Sequence, residues 1–202
     1  LISALETAEP ADADAFREAL RAADFNSTRG DFSFGPNHHP VQTIYAREVI
    51  KEGDVQVMSA GTGIYHSEYN KNSDKEVKFL QIWLFPNKKN VEPRYDQLSI
   101  RDIEKENEFY QVLSPNSDDS GVWVHQNAWF HLGKFESGKE TKYELKDKNN
   151  GVYAFILDGK VEISGQELNK RDGFGIWDVN SIDFKANENA RVLLMEVPMN
   201  IS

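Results

Sequence analysis

Cysteine is missing from this 202-residue chain. That absence removes disulfide frameworks, zinc–thiolate sites and thiol nucleophiles from consideration. Long apolar runs are missing too: no stretch approaches bilayer-spanning length, and no charged-then-apolar leader opens the chain. The first residue is Leu1 rather than Met, so a start further upstream, or a trimmed one, is expected. A soluble, cytoplasmic protein without membrane contact is the expectation. Basic residues are in the minority, 23 against 33 acidic ones, for a formal charge of -10. This balance excludes a general phosphate-backbone binder, so no direct nucleic-acid contact is expected. Lys88, Lys89 and Arg94 make a small basic cluster that reads as solvated surface. No phosphate loop, nucleophile elbow or zincin motif occurs.

What remains is a globular composition, 39% hydrophobic and 28% charged. The opening stretch predicts a helix. Pro10 suits a first helical turn, Asp12 and Asp14 favour its positive end, and Phe16, Leu20 and Ala23 share one face. The run Asn26-Ser27-Thr28-Arg29-Gly30 breaks it. Phe32 and Phe34 alternate with polar neighbours as in a short strand, and Gly35-Pro36-Asn37 is a turn. Residues 41–50 fit a short helix or an extended segment equally.

From residue 51 the texture changes to short apolar-alternating runs separated by Gly, Asn and Asp. Strands are expected at 55–58, 77–85, 129–135, 152–157, 160–163, 175–177 and 191–197. Asp158-Gly159 between two of them predicts a hairpin. Residues 87–93 and 115–121 read as loops. Strands at this spacing predict an all-β barrel or sandwich. A weak internal repeat supports two related barrels. Lys51-Glu52-Gly53-Asp54-Val55-Gln56-Val57, then Lys78-Phe79-Leu80-Gln81-Ile82-Trp83, has its counterpart in Lys170-Arg171-Asp172-Gly173-Phe174-Gly175-Ile176, then Arg191-Val192-Leu193-Leu194-Met195-Glu196.

The sharpest chemical feature is Gly61-Thr62-Gly63-Ile64-Tyr65-His66-Ser67-Glu68-Tyr69-Asn70. On a strand, His66 and Glu68 leave the same face. An imidazole and a carboxylate there can bind a divalent metal if one or two more His join them, a set that suits non-haem Fe(II), with Mn, Ni or Cu as neighbours. Taken alone, His-x-Glu also fits a surface or hydrogen-bonded pair. The surrounding residues, Gly53 to Gly63 and His66 to Asn70, followed by Leu80-Gln81-Ile82-Trp83 and Glu92-Pro93-Arg94-Tyr95, resemble the second metal-ligand segment of the pirin family. The resemblance runs more loosely to Ser202. It implies an all-β fold of two cupin (jelly-roll) barrels with an N-terminal helix, the first barrel complete or incomplete. The implied divisions are 1–50, a partial first barrel with its connection at 51–109, and a second barrel at 110–202. It also implies that His66 and Glu68 bind a metal, normally Fe(II), with Mn, Ni, Cu or no metal as alternatives, and that Glu68 has a second role in proton handling.

The family's two further ligands lie in a His-Pro-His segment that this chain does not contain. His38-His39-Pro40 is what it offers, and adjacent His point to opposite faces of a strand, so at most one of His38 and His39 could join the set. A second resemblance covers 14–48. The helix from Phe16 to Phe25, Thr28-Arg29-Gly30-Asp31-Phe32-Ser33-Phe34 and Asn37-His38-His39-Pro40-Val41-Gln42 are similar to the C-terminal end of periplasmic binding proteins for branched-chain amino acids. The chain therefore reads as a fusion or recombinant with a junction between 47 and 53. His125 and His131 flank Trp129-Phe130 and read as core or interface residues. Trp83, Trp123, Trp129 and Trp177 read as packing, and residues 146–148 as a solvated turn. The region matching His66 in the second repeat, near 181–184, lacks imidazole, so the second barrel is expected to be chemically blank. Three functions stay open. They are a dioxygenase of the quercetin 2,3-dioxygenase type acting on a flavonol or catechol, a metal-responsive module that binds a protein partner, and an inactive recombinant.

Overall fold

Alternation of apolar and polar residues builds most of the strands in this protein. A computed structural model describes residues 53–61, 74–76 and 78–200, together with the backbone of four two-residue strands at 33–34, 40–41, 46–47 and 67–68. The helix expected at the N-terminus lies outside the described residues. In chain order the strands are β1 (Ser33–Phe34), β2 (Pro40–Val41), β3 (Ala46–Arg47), β4 (Asp54–Ser59), β5 (Ser67–Glu68), β6 (Arg94–Ser99), β7 (Phe109–Ser114), β8 (Val122–Trp123) and β9 (Trp129–Phe135). Then come β10 (Glu140–Glu144), β11 (Asn150–Asp158), β12 (Lys160–Ile163), β13 (Gln166–Asn169), β14 (Gly173–Ile176), β15 (Ser181–Ala186) and β16 (Ala190–Pro198). The described residues are all β apart from one 3-10 turn, Ile100–Asp102.

The chain forms two compact units, Leu1–Val49 with Gly63–Ser73, and Ile50–Thr62 with Asp74–Ser202. In the first, β1 pairs antiparallel with β2, and β3 pairs parallel with β5. The segment 41–50 thus takes the extended alternative at Val41 and at Ala46–Arg47.

The second unit is built on a six-stranded sheet of order β14-β11-β16-β9-β7-β8 and a four-stranded sheet of order β10-β15-β12-β13. The period-two rule decides what faces what. On β15, Ile182, Phe184 and Ala186 are buried while Asp183 and Lys185 are exposed. Along β16, Val192 and Leu194 turn into the space between the two sheets, where they meet Val152, Ala154 and Ile156 of β11 and Val161 and Ile163 of β12. Phe109, Phe135 and Phe184 close this core with ring centroids 4.4–5.2 Å apart. The opposite face of the six-stranded sheet is apolar as well. Tyr110, Phe130, Leu132 and Leu193 pack there with Val57 of β4 and Ile100. The β4–β6 pair, in register from Asp54 opposite Ser99 to Ser59 opposite Arg94, supplies that second layer. Arg94 ties the layer down: its guanidinium bonds the Trp123 carbonyl and Asp96, and stacks 4.0 Å from the centroid of the Trp123 ring.

Several sequence expectations need correction. Asp158-Gly159 is a turn but not a hairpin. It ends β11 in one sheet and starts β12 in the other, so the chain changes layers there. Gly159 is required at that corner, since it sits at φ +76 with the backbone of Asn189 and Ala190 against its α-carbon. The strand expected at 175–177 lies at Gly173–Ile176, leaving Trp177 exposed beyond it. The strand expected at 77–85 does not form: residues 78–86 have no strand partner among the described residues. Trp83 in that segment is 83% exposed, so neither Trp83 nor Trp177 serves as packing. No helix among the described residues is long and apolar enough to cross a membrane.

Candidate metal centre

The structure gives uneven information on the residues that the sequence singles out. His38, His39 and His66 lie outside the described residues. Glu68 is placed in β5, where Ser67 and Glu68 lie in parallel register with Ala46 and Arg47. Among the described residues, no group of three His, Asp or Glu side chains could hold a metal ion.

A hydrogen-bonded polar cluster sits in the core of the second barrel, at residues that form no metal-binding group. Glu196 on β16 follows Val192 and Leu194 in the inward phase and is 0% exposed. Its carboxylate accepts four hydrogen bonds. Tyr143 Oη donates at 2.7 Å and the Lys146 N–H at 2.9 Å to Oε2, while the Asp147 N–H and Asn150 Nδ2 each donate at 2.9 Å to Oε1. A buried carboxylate is tolerated only with this degree of satisfaction. The turn at 146–148, read from sequence as merely solvated, therefore also caps a buried acid with its backbone. His131, 5% exposed on β9, places Nδ1 3.2 Å from Tyr143 Oη. Burial, and then the charge of Lys146, push the His131 imidazole down to about 4, so the ring is neutral near pH 7. Burial, followed by the negative charge of Glu196 and the hydrogen bond to it, pushes the Tyr143 phenol far above its ordinary value. His131 as a core residue agrees with the sequence expectation. Glu196 was missed, although its phase with Val192 and Leu194 was a readable signal. Near 181–184, the interior positions are filled by Ile182 and Phe184, hydrocarbon rather than donor atoms.

Two facing β-sheets closed over a core of alternating residues, with further strands laid on the outer face, are a cupin architecture. Residues 42–84 match the pirin family model and residues 111–197 match the quercetinase C-terminal cupin domain. Over these residues the chain belongs to the pirin family. The pirin match begins inside the 14–48 stretch that resembles binding proteins. Among curated proteins, the chain is 32% identical over 152 residues to quercetin 2,3-dioxygenase of Escherichia coli, covering 75% of this chain and 64% of that protein. It is 34% identical over 145 residues to a pirin-like protein of Caulobacter vibrioides, covering 71% and 62%. Among solved structures, it resembles the bacterial pirin YhhW of Escherichia coli in complex with nickel(II). The TM-score is 0.66 at 32% identity, covering 72% of this chain and 62% of that one. The chain thus spans a little less than two thirds of the length of the relatives it matches.

Proposed function

We propose that this pirin-type cupin holds a divalent metal through His66 and Glu68 and acts as a dioxygenase on a flavonol or catechol-like substrate. The supporting observation is the pirin match over residues 42–84, which contains both residues. The likeness to relatives named quercetin 2,3-dioxygenase suggests the substrate class. A nitrogen and an oxygen donor two positions apart suit a first-row divalent metal such as Fe(II), with Ni, Mn and Cu as competitors. His38 or His39 would complete the set. Iron, when bound, would bring adjacent substrate oxygens and dioxygen to one centre. His66 would serve as a ligand alone, and Glu68 would add the ability to take or return a substrate proton. The partner is then a small aromatic molecule rather than nucleic acid or membrane.

Anaerobic Fe(II) loading followed by metal analysis tests the assignment on the unaltered protein and on the His66→Ala, Glu68→Ala double variant. Stoichiometric iron in the former alone, with oxygen uptake on quercetin, is the expected result. Iron without turnover would move the reading to a metal-responsive module that binds a protein partner. Equal loading of both proteins would remove His66 and Glu68 from the site.

A further inference from the structure

Asn150 and Gly151 open β11, and a separate structural demand fixes each. Asn150 is 3% exposed, and its Nδ2 donates at 2.9 Å to Oε1 of the fully buried Glu196. Gly151 is buried as well. A β-carbon there would lie 2.5 Å from Met199 Sδ and 3.2 Å from the Ile176 carbonyl oxygen. Together the two demands create an Asn-Gly step, which occurs once in the chain. Asparagine is chemically most labile before glycine, because no side chain shields the nitrogen that follows it. The Gly151 nitrogen attacks the Asn150 side-chain carbonyl carbon. A carbon–nitrogen bond to the backbone forms, the bond to the amide nitrogen breaks, and ammonia leaves with the proton of the attacking nitrogen. Water then opens the cyclic imide, giving aspartate or its β-linked isomer.

The fold holds this reaction off. β11 is extended from its first residue, with Asn150 opposite Pro198 and Gly151 opposite Val197 on β16. An extended backbone turns the following nitrogen away from the side-chain carbon it must reach. The bond to Glu196 ties the amide down further, and ring closure breaks that bond. Opening of this end of β11 releases both restraints. The product then disfavours closure. An aspartate at 150 sets a second carboxylate against a buried Glu196 oxygen that had accepted from an amide. The β-linked isomer adds a methylene to the backbone of the strand.

We propose that Asn150 is a deamidation site gated by opening of β11, and that its product keeps the second barrel from re-forming around Glu196. Peptide mapping by mass spectrometry, on the whole chain in mildly alkaline buffer through a urea series, tests this. Conversion at Asn150 is expected to follow the unfolded fraction, and to run more than about a hundredfold faster in the unfolded chain than in the folded one. Tyr143→Phe loosens the cluster without touching the Asn-Gly step. It is expected to speed conversion without urea by about tenfold. Asn150→Asp reproduces one product and is expected to lower the urea midpoint. Adding Glu196→Gln is expected to raise it again in part, because an amide then faces the new carboxylate. Equal conversion rates in the folded and unfolded chains would overturn the proposal. So would an Asn150→Asp variant with an unaltered midpoint, or a double variant no more stable than Asn150→Asp alone.

Discussion

Tyr143 gives its one hydroxyl hydrogen to Glu196, 2.7 Å away, and this fixes the state of a third group. His131 Nδ1 lies 3.2 Å from the same Tyr143 oxygen, whose hydrogen is already used, so Nδ1 must be the donor. The neutral ring therefore carries its proton on Nδ1. The chain of bonds runs in one direction, from imidazole to phenol to carboxylate, with the backbone of Lys146 and Asp147 closing its far end.

Breaking that chain is expected to be costly. Tyr143→Phe leaves the buried His131 N–H without an acceptor and removes one donor from Glu196, at about 1–3 kcal/mol. Glu196→Gln places an amide hydrogen against groups that are all donors, and is expected to cost at least as much. Urea denaturation of both variants checks this. Losses within about 0.5 kcal/mol, the range of ordinary surface changes, would contradict the account.

The pH dependence has a definite sign. Unfolded, His131 titrates near 6.5; folded, near 4. Above 6.5 neither state is protonated and the group contributes nothing. As the pH falls from 6.5 to 4 the unfolded chain takes the proton first, so stability is lost, and below about 4 the loss levels off. The whole drop is roughly 3 kcal/mol. His131→Gln is expected to flatten the stability–pH curve by that amount over the same window. Parallel curves for the two proteins would refute it.

Two glycines separate backbone from side-chain crowding. A methyl at Gly159 would overlap the Asn189 carbonyl in a left-handed conformation, and neither can give way. Gly159→Ala is expected to cost about 2 kcal/mol or more. A methyl at Gly173 would overlap only the phenol end of the half-exposed Tyr153, which can swing aside. Gly173→Ala is expected to cost under about 1 kcal/mol. Melting temperatures of the two variants rank them directly.

Arg94→Lys keeps the charge but loses the planar stack on Trp123 and the forked contact to Asp96 and the Trp123 carbonyl. A loss of about 1 kcal/mol is expected, with a change in the intrinsic fluorescence of Trp123. An unchanged emission spectrum would show that the stack is not maintained in solution.

The strands most legible in the sequence are those whose burial is one-sided or complete. β9 and β12 fall at the residues that alternation predicts, and β11 and β16 extend the expected runs by one or two residues. β15 carried an equally clear signal in Ile182, Phe184 and Ala186 but was read only as the counterpart of the His66 region. β10 was hidden because Tyr143 is its one buried residue. The false hairpin at Asp158-Gly159 shows the limit of a local rule: the dipeptide specifies a turn, and which sheet the next strand joins is set by distant partners. Residues 78–86 have strand composition without a strand partner among the described residues, because composition cannot supply the neighbour. The cluster around Glu196 went unread because two of its four donors are backbone groups of a turn, which leave no trace in residue type, and the other two, Tyr143 and Asn150, are distant in sequence.

The six-stranded sheet has hydrocarbon on both sides, and this bears on how the protein could be divided. His131 and Leu194 look into one layer while their neighbours Leu132 and Leu193 look into the other. A fragment cut just before β7 would keep the inner core and bare the outer wall of Tyr110, Phe130, Leu132 and Leu193 to water. Such an excised domain would be sticky rather than autonomous. The β4–β6 ribbon thus acts as a sealant for the barrel behind it.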